Sequence, residues 1–447
     1  MDHNTINKSS DQIAPIIPPP PKKTPTNLII LFGAIAAIIL GLLAAIIALA
    51  VKKKKKEIKI VEKINNITEG FNFTKYIMSN MGYLEPWYDV FGNKTSNISY
   101  AKNGKISNTF KTRGKNYKED IGNVNDGQDY VENNRTNYDL YIPYGVLKEK
   151  DKYHGVFLFI HGGGWFAGEK NEVENFPSRF AKLGYIGACM DYTILSDSYS
   201  NFNIYRIMDE ISACIDSIVE ELKSNGLDEN KLEFAIGGVS AGAHLCLLYS
   251  YLVKETRLPI KFIIDIVGPI SLEPKYWYRL AQNKTPLENI EKETIEEAQK
   301  NGTIIKVFEE EDSWIALMNY FSGKKFSENE LIGMLDKDKH INETNEKYQE
   351  MHKIVKYAFP VVLINSTDRR IPLLCEYCGN DQLVGIAQYH YLKELYEEKN
   401  GTIEMVYMIK AGHEQFHYFD PRSIEAMKEM HYKITQFAKK YFNETNS

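Results

Sequence analysis

Residues 233–252 read EFAIGGVSAGAHLCLLYSYL, with one apolar run on each side of a glycine-rich turn. The run over 232–236 predicts a short buried strand, and the longer run over 241–252 predicts an apolar helix. Ser240 is the last residue before that helix. The pattern therefore places a serine on a tight turn between a strand and a helix.

The turn contains the pattern G-x-S-x-G as Gly238, Ser240 and Gly242. A serine on such a turn projects its hydroxyl at the carboxyl edge of the sheet, and a Cβ on either flanking residue would collide with neighbouring backbone. A serine that only caps the following helix would explain Ser240 but not both glycines. We therefore predict that Ser240 is a nucleophile.

Strands and helices alternate from about Tyr138 onward. Strands are predicted over 139–142, 156–160, 185–190 and 262–267, and helices over 172–183 and 204–222, the second ended by Asn225-Gly226. Such alternation is typical of a mostly parallel sheet with helices on both faces. The predicted fold class is therefore α/β.

A second glycine-rich stretch, FIHGGGWFAG from Phe159 to Gly168, follows another predicted strand. Backbone N–H groups without obstructing side chains are suitable donors for the oxyanion that forms when a serine attacks a carbonyl group. Gly162 and Gly163 can supply such donors, and the N–H of Ala241, directly after the nucleophile, can supply another. His161 is expected to brace this loop rather than to act as a base.

The motif HGGGW at 161–165, about eighty residues before GxSAG at 238–242, resembles the hormone-sensitive-lipase-like and carboxylesterase branch of the α/β-hydrolase fold. The resemblance covers approximately 138–442 and implies a serine esterase. The residues between the strands that end near Val267 and begin near Ile371 are rich in aromatic and charged side chains, and they predict either a helical cap over the site or an insertion packed aside from it. The family's usual Asp-Tyr-Arg is Asp191-Tyr192-Thr193 here, so the contacts of that arginine are expected to be absent. The string SAGAH is similar to arylformamidases and to isoprenylcysteine methylesterases, but it is too short to identify a substrate.

A serine nucleophile in this fold is followed along the chain first by the acid and then by the histidine. An apolar strand predicted over 405–409 leads into His413, which places that histidine on a loop at the carboxyl edge of the sheet. His413 is therefore the predicted base, with His417 as the second candidate. His244 lies one helical turn after Ser240 and is expected to be structural.

Two aspartates, Asp368 and Asp381, follow apolar runs and compete for the role of the acid. Asp381 is preferred because a helix predicted over 387–397 and then the strand before His413 come after it. Asp368 would leave an additional strand between the acid and that helix.

These parts predict a mechanism without a cofactor. His413 takes the proton of Ser240, Asp381 holds the imidazole tautomer, and the glycine loop with Ala241 stabilises the tetrahedral oxyanion. An acyl-enzyme forms, and water then releases the acid.

The five cysteines indicate no dense disulfide framework, although Cys375 and Cys378 could pair. A metal is not expected, because a zinc site at this C-x-x-C would need two further ligands at suitable spacing.

Composition divides the chain into four parts. We predict a disordered Pro-containing tail over 1–27, a transmembrane helix over 28–51, a basic juxtamembrane segment with a stalk and an N-terminal cap region over 52–130, and the α/β-hydrolase domain over 131–447, with a cap insertion at about 273–355. The span holds 24 residues without a charge, whereas about 20 helical residues cross a bilayer core. A cleaved signal peptide is the competing interpretation, but the apolar run is longer than a signal core.

Two features of the sequence disagree on membrane orientation. Lys52 to Lys56 follow the span, and this excess of positive charge favours a cytoplasmic catalytic domain. Eleven N-x-S/T sequons lie beyond the span and favour a lumenal or extracellular glycoprotein, at Asn66, Asn72, Asn93, Asn97, Asn134, Asn283, Asn301, Asn342, Asn365, Asn400 and Asn443. Their number leads us to expect the lumenal or extracellular orientation.

The net charge of −5 and the pI near 6.1 argue against nucleic acid as a partner. The leading prediction is a membrane-anchored serine hydrolase that acts on small-molecule or lipid carboxylic esters and contacts the bilayer through 28–51. An amidase, deacetylase or peptidase with the same triad comes second. A non-catalytic α/β-hydrolase used for adhesion comes third.

Overall fold

Eight strands form one sheet in the computed structural model of the chain, in the order β1-β4-β6-β5-β7-β8-β9-β10. The structure describes residues 87, 89, 91–106, 130–131, 134–195, 203–272, 311–338, 340–379, 381, 383–408, 411–413 and 421–442. The strands are β1 Gly92–Ser99, β2 Lys105–Ile106, β3 Tyr130–Val131, β4 Asn137–Pro143, β5 His154–Ile160, β6 Ile186–Met190, β7 Leu232–Val239, β8 Ile260–Ile266, β9 Leu373–Cys378 and β10 Ile403–Met408.

Strands β1 and β4 are antiparallel to their neighbours, whereas all pairs from β6 across to β10 are parallel. Strands β2 and β3 form a separate antiparallel pair. The prediction of a mostly parallel sheet is therefore confirmed. In a parallel sheet the carboxyl ends of the strands share one edge, so the loops that follow β5, β7, β9 and β10 lie at the same edge of the sheet.

The helices in the described residues are α1 Tyr144–Lys148, α2 Asn175–Lys182, α3 Ile204–Ser224, α4 Ala241–Leu252, α5 Glu311–Ser322, α6 Glu328–Ile332, α7 Glu346–Val355, α8 Pro360–Asn365, α9 Ala387–Glu397 and α10 Pro421–Tyr441. The predicted bounds of α4 and α9 match the structure. The helix predicted over 172–183 is confirmed as α2, but its predicted start is wrong, because Lys170–Val173 forms a 3₁₀ turn and α2 begins only at Asn175. Pro177 lies in the first turn of α2, where a missing N–H costs no intrahelical hydrogen bond.

Helices cover both faces of the sheet, and strand β5 shows how. Val156, Leu158 and Ile160 belong to the core beneath α3, α4 and α9. Phe157 and Phe159 point to the opposite face and pack in the core formed with α2 and α10. Because successive side chains of a strand alternate between faces, a strand buried on both sides is apolar at every position.

The cysteines carry no disulfide. All five are buried and free. Cys375 and Cys378 cannot pair, because they lie three residues apart on β9 and therefore point into different cores. The expectation that they could form a disulfide is wrong for this reason.

The described part of the predicted cap insertion, residues 311–338 and 340–355, contains α5, α6 and α7. Trp314 and Phe321 of α5 are fully buried. The remainder of the insertion lies outside the described residues.

The predicted tail over 1–27, the transmembrane helix over 28–51 and most of the segment over 52–130 also lie outside them. Among the helices that the structure describes, none has the length and apolar character needed to cross a membrane.

Replacing Phe157 by alanine is expected to lower the free energy of unfolding by about 3–5 kcal/mol, because the ring is fully buried and its removal leaves a cavity. The Phe157 ring stacks on Phe180 at 4.7 Å and meets Phe262 edge-on at 5.8 Å. The measurement is chemical denaturation of the full-length chain.

The matched control is Tyr153→Ala, because Tyr153 lies just before β5 and is 43% exposed. This substitution is expected to change the stability by less than about 0.5 kcal/mol. Equal losses in the two variants would contradict the assigned position of Phe157 in the core.

Candidate active site

Ser240 stands between β7 and α4 in a backbone conformation that few residues adopt. Its φ is 54° and its ψ is −120°. A non-glycine residue in such a region costs on the order of 1–3 kcal/mol and persists only where the surroundings hold it. Here the N–H of Ser240 donates to the carbonyl of Ile266 at 2.8 Å, and the carbonyl of Ser240 accepts from the N–H of His244 at 3.0 Å.

The two glycines that flank Ser240 are required by close backbone contacts, as the sequence predicts. A Cβ on Gly238 would lie 2.4 Å from the carbonyl carbon of Gly242. A Cβ on Gly242 would lie 2.1 Å from the carbonyl oxygen of Ile160, at the end of β5. Both distances are far below van der Waals contact, so any side chain would force the turn away from the sheet.

The structure brings His413 between Ser240 and Asp381. The imidazole Nε2 lies 2.9 Å from Ser240 Oγ, and Nδ1 lies 2.7 Å from Asp381 Oδ2. The three side chains come from the loops after β10, β7 and β9, which share the carboxyl edge of the sheet. Because the carboxylate accepts the Nδ1 proton, Nε2 is left as the acceptor for the serine hydroxyl.

Asp381 is held by its own loop. Its Oδ1 accepts hydrogen bonds from the N–H of Leu383 at 2.9 Å and of Val384 at 2.8 Å, and its side chain is fully buried. The carboxylate therefore has a fixed orientation toward His413. Sequence analysis did not identify these two backbone donors, because they depend on the conformation of the turn and not on residue type.

The structure describes two of the competing candidates, Asp368 and His244. The Asp368 side chain is 89% exposed and forms an ion pair with Lys399 at 2.8 Å. His417 lies outside the described residues. His244 is fully buried, accepts from Trp165 Nε1 at 3.2 Å and contacts the carbonyl of Ala358 at 2.7 Å through Nε2, which therefore donates.

Burial lowers the pKa of His244 to about 4, and this imidazole is neutral. With both nitrogens engaged, it has no acceptor free for the hydroxyl of Ser240. His244 therefore has a structural role, as expected.

The glycine loop after β5 passes directly beside Ser240. A Cβ on Gly162 would lie 3.3 Å from Ser240 Cβ and 3.0 Å from the carbonyl oxygen of Val239. Gly163 has a φ of +95°. Its carbonyl accepts hydrogen bonds from the N–H groups of Phe166 and Ala167, and these bonds close a tight turn in the loop. The N–H of Ala241 lies in the first turn of α4, where helix geometry provides no intrahelical acceptor.

Two side chains hold this loop from behind. Tyr192 donates its hydroxyl proton toward the carbonyls of His161, at 3.2 Å, and Gly162, at 3.1 Å. His161 donates from Nδ1 to the carbonyl of Gly162 at 2.9 Å, and its ring stacks on Tyr192 at 4.3 Å. Burial lowers the pKa of His161 to about 4, so the ring is neutral. His161 therefore braces the loop, as the sequence predicts.

A buried lysine, which sequence analysis did not identify, anchors the far end of the loop. Lys170 Nζ donates to Asp191 Oδ2 at 3.0 Å, Asn97 Oδ1 at 2.8 Å and Asn137 Oδ1 at 2.6 Å. The N–H of Lys170 also donates to Asp191 Oδ1 at 2.7 Å. The acceptors for the Lys170 ammonium therefore come from β1, β4 and the residue after β6. These residues are far apart in the chain, so no local sequence pattern predicts the site.

Thr193 replaces the family's usual arginine, and a different arginine lies nearby. The N–H and Oγ1 of Thr193 donate to Glu210 at 2.8 and 2.6 Å, and Arg206 Nε donates to the same carboxylate at 3.0 Å. Arg206 and Glu210 lie one turn apart on α3 and are buried. Thr193 and Arg206 therefore share one buried carboxylate.

Within the described residues, no group of histidine, cysteine and acidic side chains is arranged to hold a metal ion. The arrangement that is present consists of a hydroxyl, an imidazole and a carboxylate in one hydrogen-bonded line, with a glycine loop beside the hydroxyl. These groups are the ones that nucleophilic attack on a carbonyl carbon requires.

Comparison with known proteins agrees with this chemistry. Residues 138–396 match the family model described as BD-FAE, a family of α/β-hydrolase esterases. The matched range contains Ser240 and Asp381 and ends before His413. No curated protein matches the chain significantly.

Three solved structures illustrate the wider similarity. Esterase B from Lactobacillus rhamnosis is 15% identical, with a TM-score of 0.48, and the alignment covers 78% of this chain and 86% of that one. The Est2 esterase from Thermogutta terrifontis is 13% identical, with a TM-score of 0.46 and coverage of 70% and 91%. A truncated carbohydrate esterase from gut microbiota is 15% identical, with a TM-score of 0.47 and coverage of 78% and 99%.

The family model covers more than half of the 447 residues, so the prediction of an α/β-hydrolase serine esterase is confirmed at the level of the family. The chain belongs to the BD-FAE family of α/β-hydrolase esterases and is a carboxylic ester hydrolase.

Proposed function

We propose that the chain hydrolyses carboxylic esters through a catalytic triad of Ser240, His413 and Asp381 and a covalent acyl-enzyme. The observation that carries the proposal is the position of His413, 2.9 Å from the serine hydroxyl and 2.7 Å from a buried carboxylate. Histidine is the most frequent general base in enzymes, and it activates a serine only when a hydrogen bond joins the two.

In the first half-reaction, Ser240 Oγ attacks the ester carbonyl carbon while His413 Nε2 takes the hydroxyl proton. Asp381 holds the imidazole by its Nδ1 proton and stabilises the imidazolium that forms. The imidazolium then gives its proton to the leaving alkoxide, and the alcohol departs. Water repeats the same steps on the acyl-enzyme and releases the carboxylic acid.

Backbone N–H groups of Gly162, Gly163 and Ala241 supply the proposed oxyanion site. Two observations support it: Gly162 lies against Ser240, and the carbonyl of Gly162 is held on the other side of the loop by Tyr192 and His161. Donors fixed before the reaction need no reorganisation when charge develops on the oxygen.

We also propose that residues 28–51 anchor the enzyme in a membrane, with the catalytic domain on the lumenal or extracellular side. The uncharged run of 24 residues supports the anchor. The sequons support the orientation, because every sequon asparagine within the described residues is exposed: Asn93, Asn97, Asn134, Asn342, Asn365 and Asn400. Exposure is what attachment of a glycan requires.

Replacing Asp381 by asparagine is expected to lower kcat roughly 10⁴-fold, because the amide favours the wrong imidazole tautomer. The measurement is hydrolysis of a short-chain aryl ester, and of the matching anilide, by the full-length enzyme. Asp368→Asn is the matched control and is expected to retain wild-type kcat, because Asp368 is exposed and forms a surface ion pair with Lys399. A larger loss in Asp368→Asn than in Asp381→Asn would overturn the assignment of the acid.

A fluorophosphonate probe is expected to label the wild-type enzyme at Ser240. The serine oxygen bonds to phosphorus, fluoride leaves, and His413 takes the proton. Labelling is expected to be lost in Ser240→Ala and strongly reduced in His413→Ala, as measured by covalent incorporation of the probe. Full labelling of folded Ser240→Ala would show that a different residue is the nucleophile.

Removal of N-glycans by an endoglycosidase is expected to increase the gel mobility of the chain expressed in eukaryotic cells. Asn365→Gln is expected to remove one glycan and to shift the untreated band by one step. Asn329→Gln is the control, because Asn329 is exposed but lies outside any sequon. Identical mobility before and after treatment would contradict the lumenal orientation.

A further inference from the structure

Asp265 is a buried carboxyl group that the proposed mechanism does not use. It lies near the end of β8, between β7 and β9, and it is fully buried. The next residue, Ile266, provides the carbonyl that accepts the N–H of Ser240. Asp265 is therefore one residue from the backbone group that holds the strained turn.

Three hydrogen-bonding groups meet around this carboxyl. Asp265 Oδ1 accepts from the N–H of Gly268 at 2.9 Å. Asp265 Oδ2 lies 2.8 Å from the hydroxyl of Tyr377, and that hydroxyl lies 2.6 Å from the carbonyl oxygen of Gly268. Tyr377 belongs to β9, four residues before Asp381.

The number of protons available to these groups decides whether the Asp265 carboxyl is ionised. The two contacts of the Tyr377 oxygen, at 2.6 and 2.8 Å, are too short to share one proton as the longer contacts of Tyr192 do, and a phenol has only one proton. The carbonyl of Gly268 can only accept, so the phenolic proton points toward it. The contact with Asp265 Oδ2 then needs a proton from the carboxyl group itself.

In the part of the chain that the structure describes, the surroundings of Asp265 include no opposite charge, and burial outweighs the hydrogen bonds from Gly268 and Tyr377 that favour the ionised carboxyl. The titratable groups that face it are Cys246 of α4 and Cys375 and Tyr377 of β9, and burial raises the pKa of all three. Among the described residues, no lysine, arginine or histidine contributes to the titration of Asp265. Burial raises the pKa of Asp265 to about 7.

We infer that Asp265 is a neutral carboxylic acid in the folded enzyme and acts as a positioning residue. The proton of Asp265 forms a hydrogen bond between β8 and Tyr377 of β9. Strand β8 holds the Ser240 turn through Ile266, and β9 leads to Asp381. A Cβ on Gly268 would lie 2.7 Å from the Cβ of Ala243, so the same cluster also packs against the first turn of α4. The inference about catalysis rests on the proposed triad, whereas the inference about ionisation does not.

The inference has a definite consequence for stability. The unfolded carboxyl ionises near its ordinary pKa of 3.8, whereas the folded carboxyl keeps its proton until about pH 7. The stabilisation is therefore complete below about pH 3.8 and is lost as the pH rises toward 7. Over this interval the unfolding equilibrium constant is expected to rise about tenfold per pH unit from this group alone.

The test is Asp265→Asn in the full-length enzyme, purified in a mild non-ionic detergent. The asparagine Oδ1 can accept from Gly268, and its Nδ2 can donate to Tyr377, so the amide reproduces the protonated acid but cannot ionise. The unfolding constants of the wild type and Asp265→Asn are measured from pH 4 to pH 8. Their ratio is expected to rise about tenfold per pH unit up to about pH 7 and then to level off.

Activity gives a second readout. As the pH rises through about 7, kcat of the wild type on a short-chain aryl ester is expected to fall relative to kcat of Asp265→Asn, because the ionised carboxylate draws the phenolic proton of Tyr377 away from the carbonyl of Gly268. Tyr377→Phe removes the phenolic hydroxyl. It is expected to lower the free energy of unfolding both in the wild type and in Asp265→Asn.

A constant ratio of the unfolding constants from pH 4 to pH 8 would overturn the inference. So would a strong loss of stability in Asp265→Asn at every pH, because that result would mean that the carboxylate is the functional form. Ser240→Ala separates this inference from the proposed triad: it is expected to lose activity and to keep the wild-type pH dependence of unfolding.

Discussion

The close approach of the turn between β7 and α4 to the end of β5 is the constraint on which the site depends. Gly242 lies against the carbonyl of Ile160, and Gly238 lies against Gly242, so neither position has room for a side chain. The approach forces Ser240 to a φ of 54° and raises its hydroxyl above the edge of the sheet. It also brings the glycine loop, which leaves β5 at the same place, directly beside the serine.

Hydrogen bonds from several segments hold this strained turn and the glycine loop beside it. Ile266 of β8 accepts the N–H of Ser240, Tyr192 and His161 hold the glycine loop, and Lys170 anchors the far end of that loop. Each group belongs to a different segment of the chain. These hydrogen bonds position the serine and the glycine loop in the structure without a bound substrate.

Much of the fold followed from local sequence patterns. The apolar runs predicted the strands at the centre of the sheet, and the uniform apolarity of α4 predicted its burial. The motifs around Ser240 and Gly162 identified the turn and the loop because their glycines meet local backbone requirements. The helix predicted over 172–183 begins three residues later in the structure. The residues before it form a 3₁₀ turn that starts at Lys170, which bonds to the buried Asp191, a tertiary contact that periodicity does not detect.

The sequence by itself determined the fold class, the Ser240 turn, and the choice of His413 and Asp381 from the order of elements. Only the tertiary structure decided which buried polar groups meet. Asp191 with Lys170, Glu210 with Thr193, and Asp265 with Tyr377 are pairs whose members lie far apart in the chain. The physical reason is that a buried polar group must find its partner through space, and the nearest partner in space is seldom a neighbour in the chain.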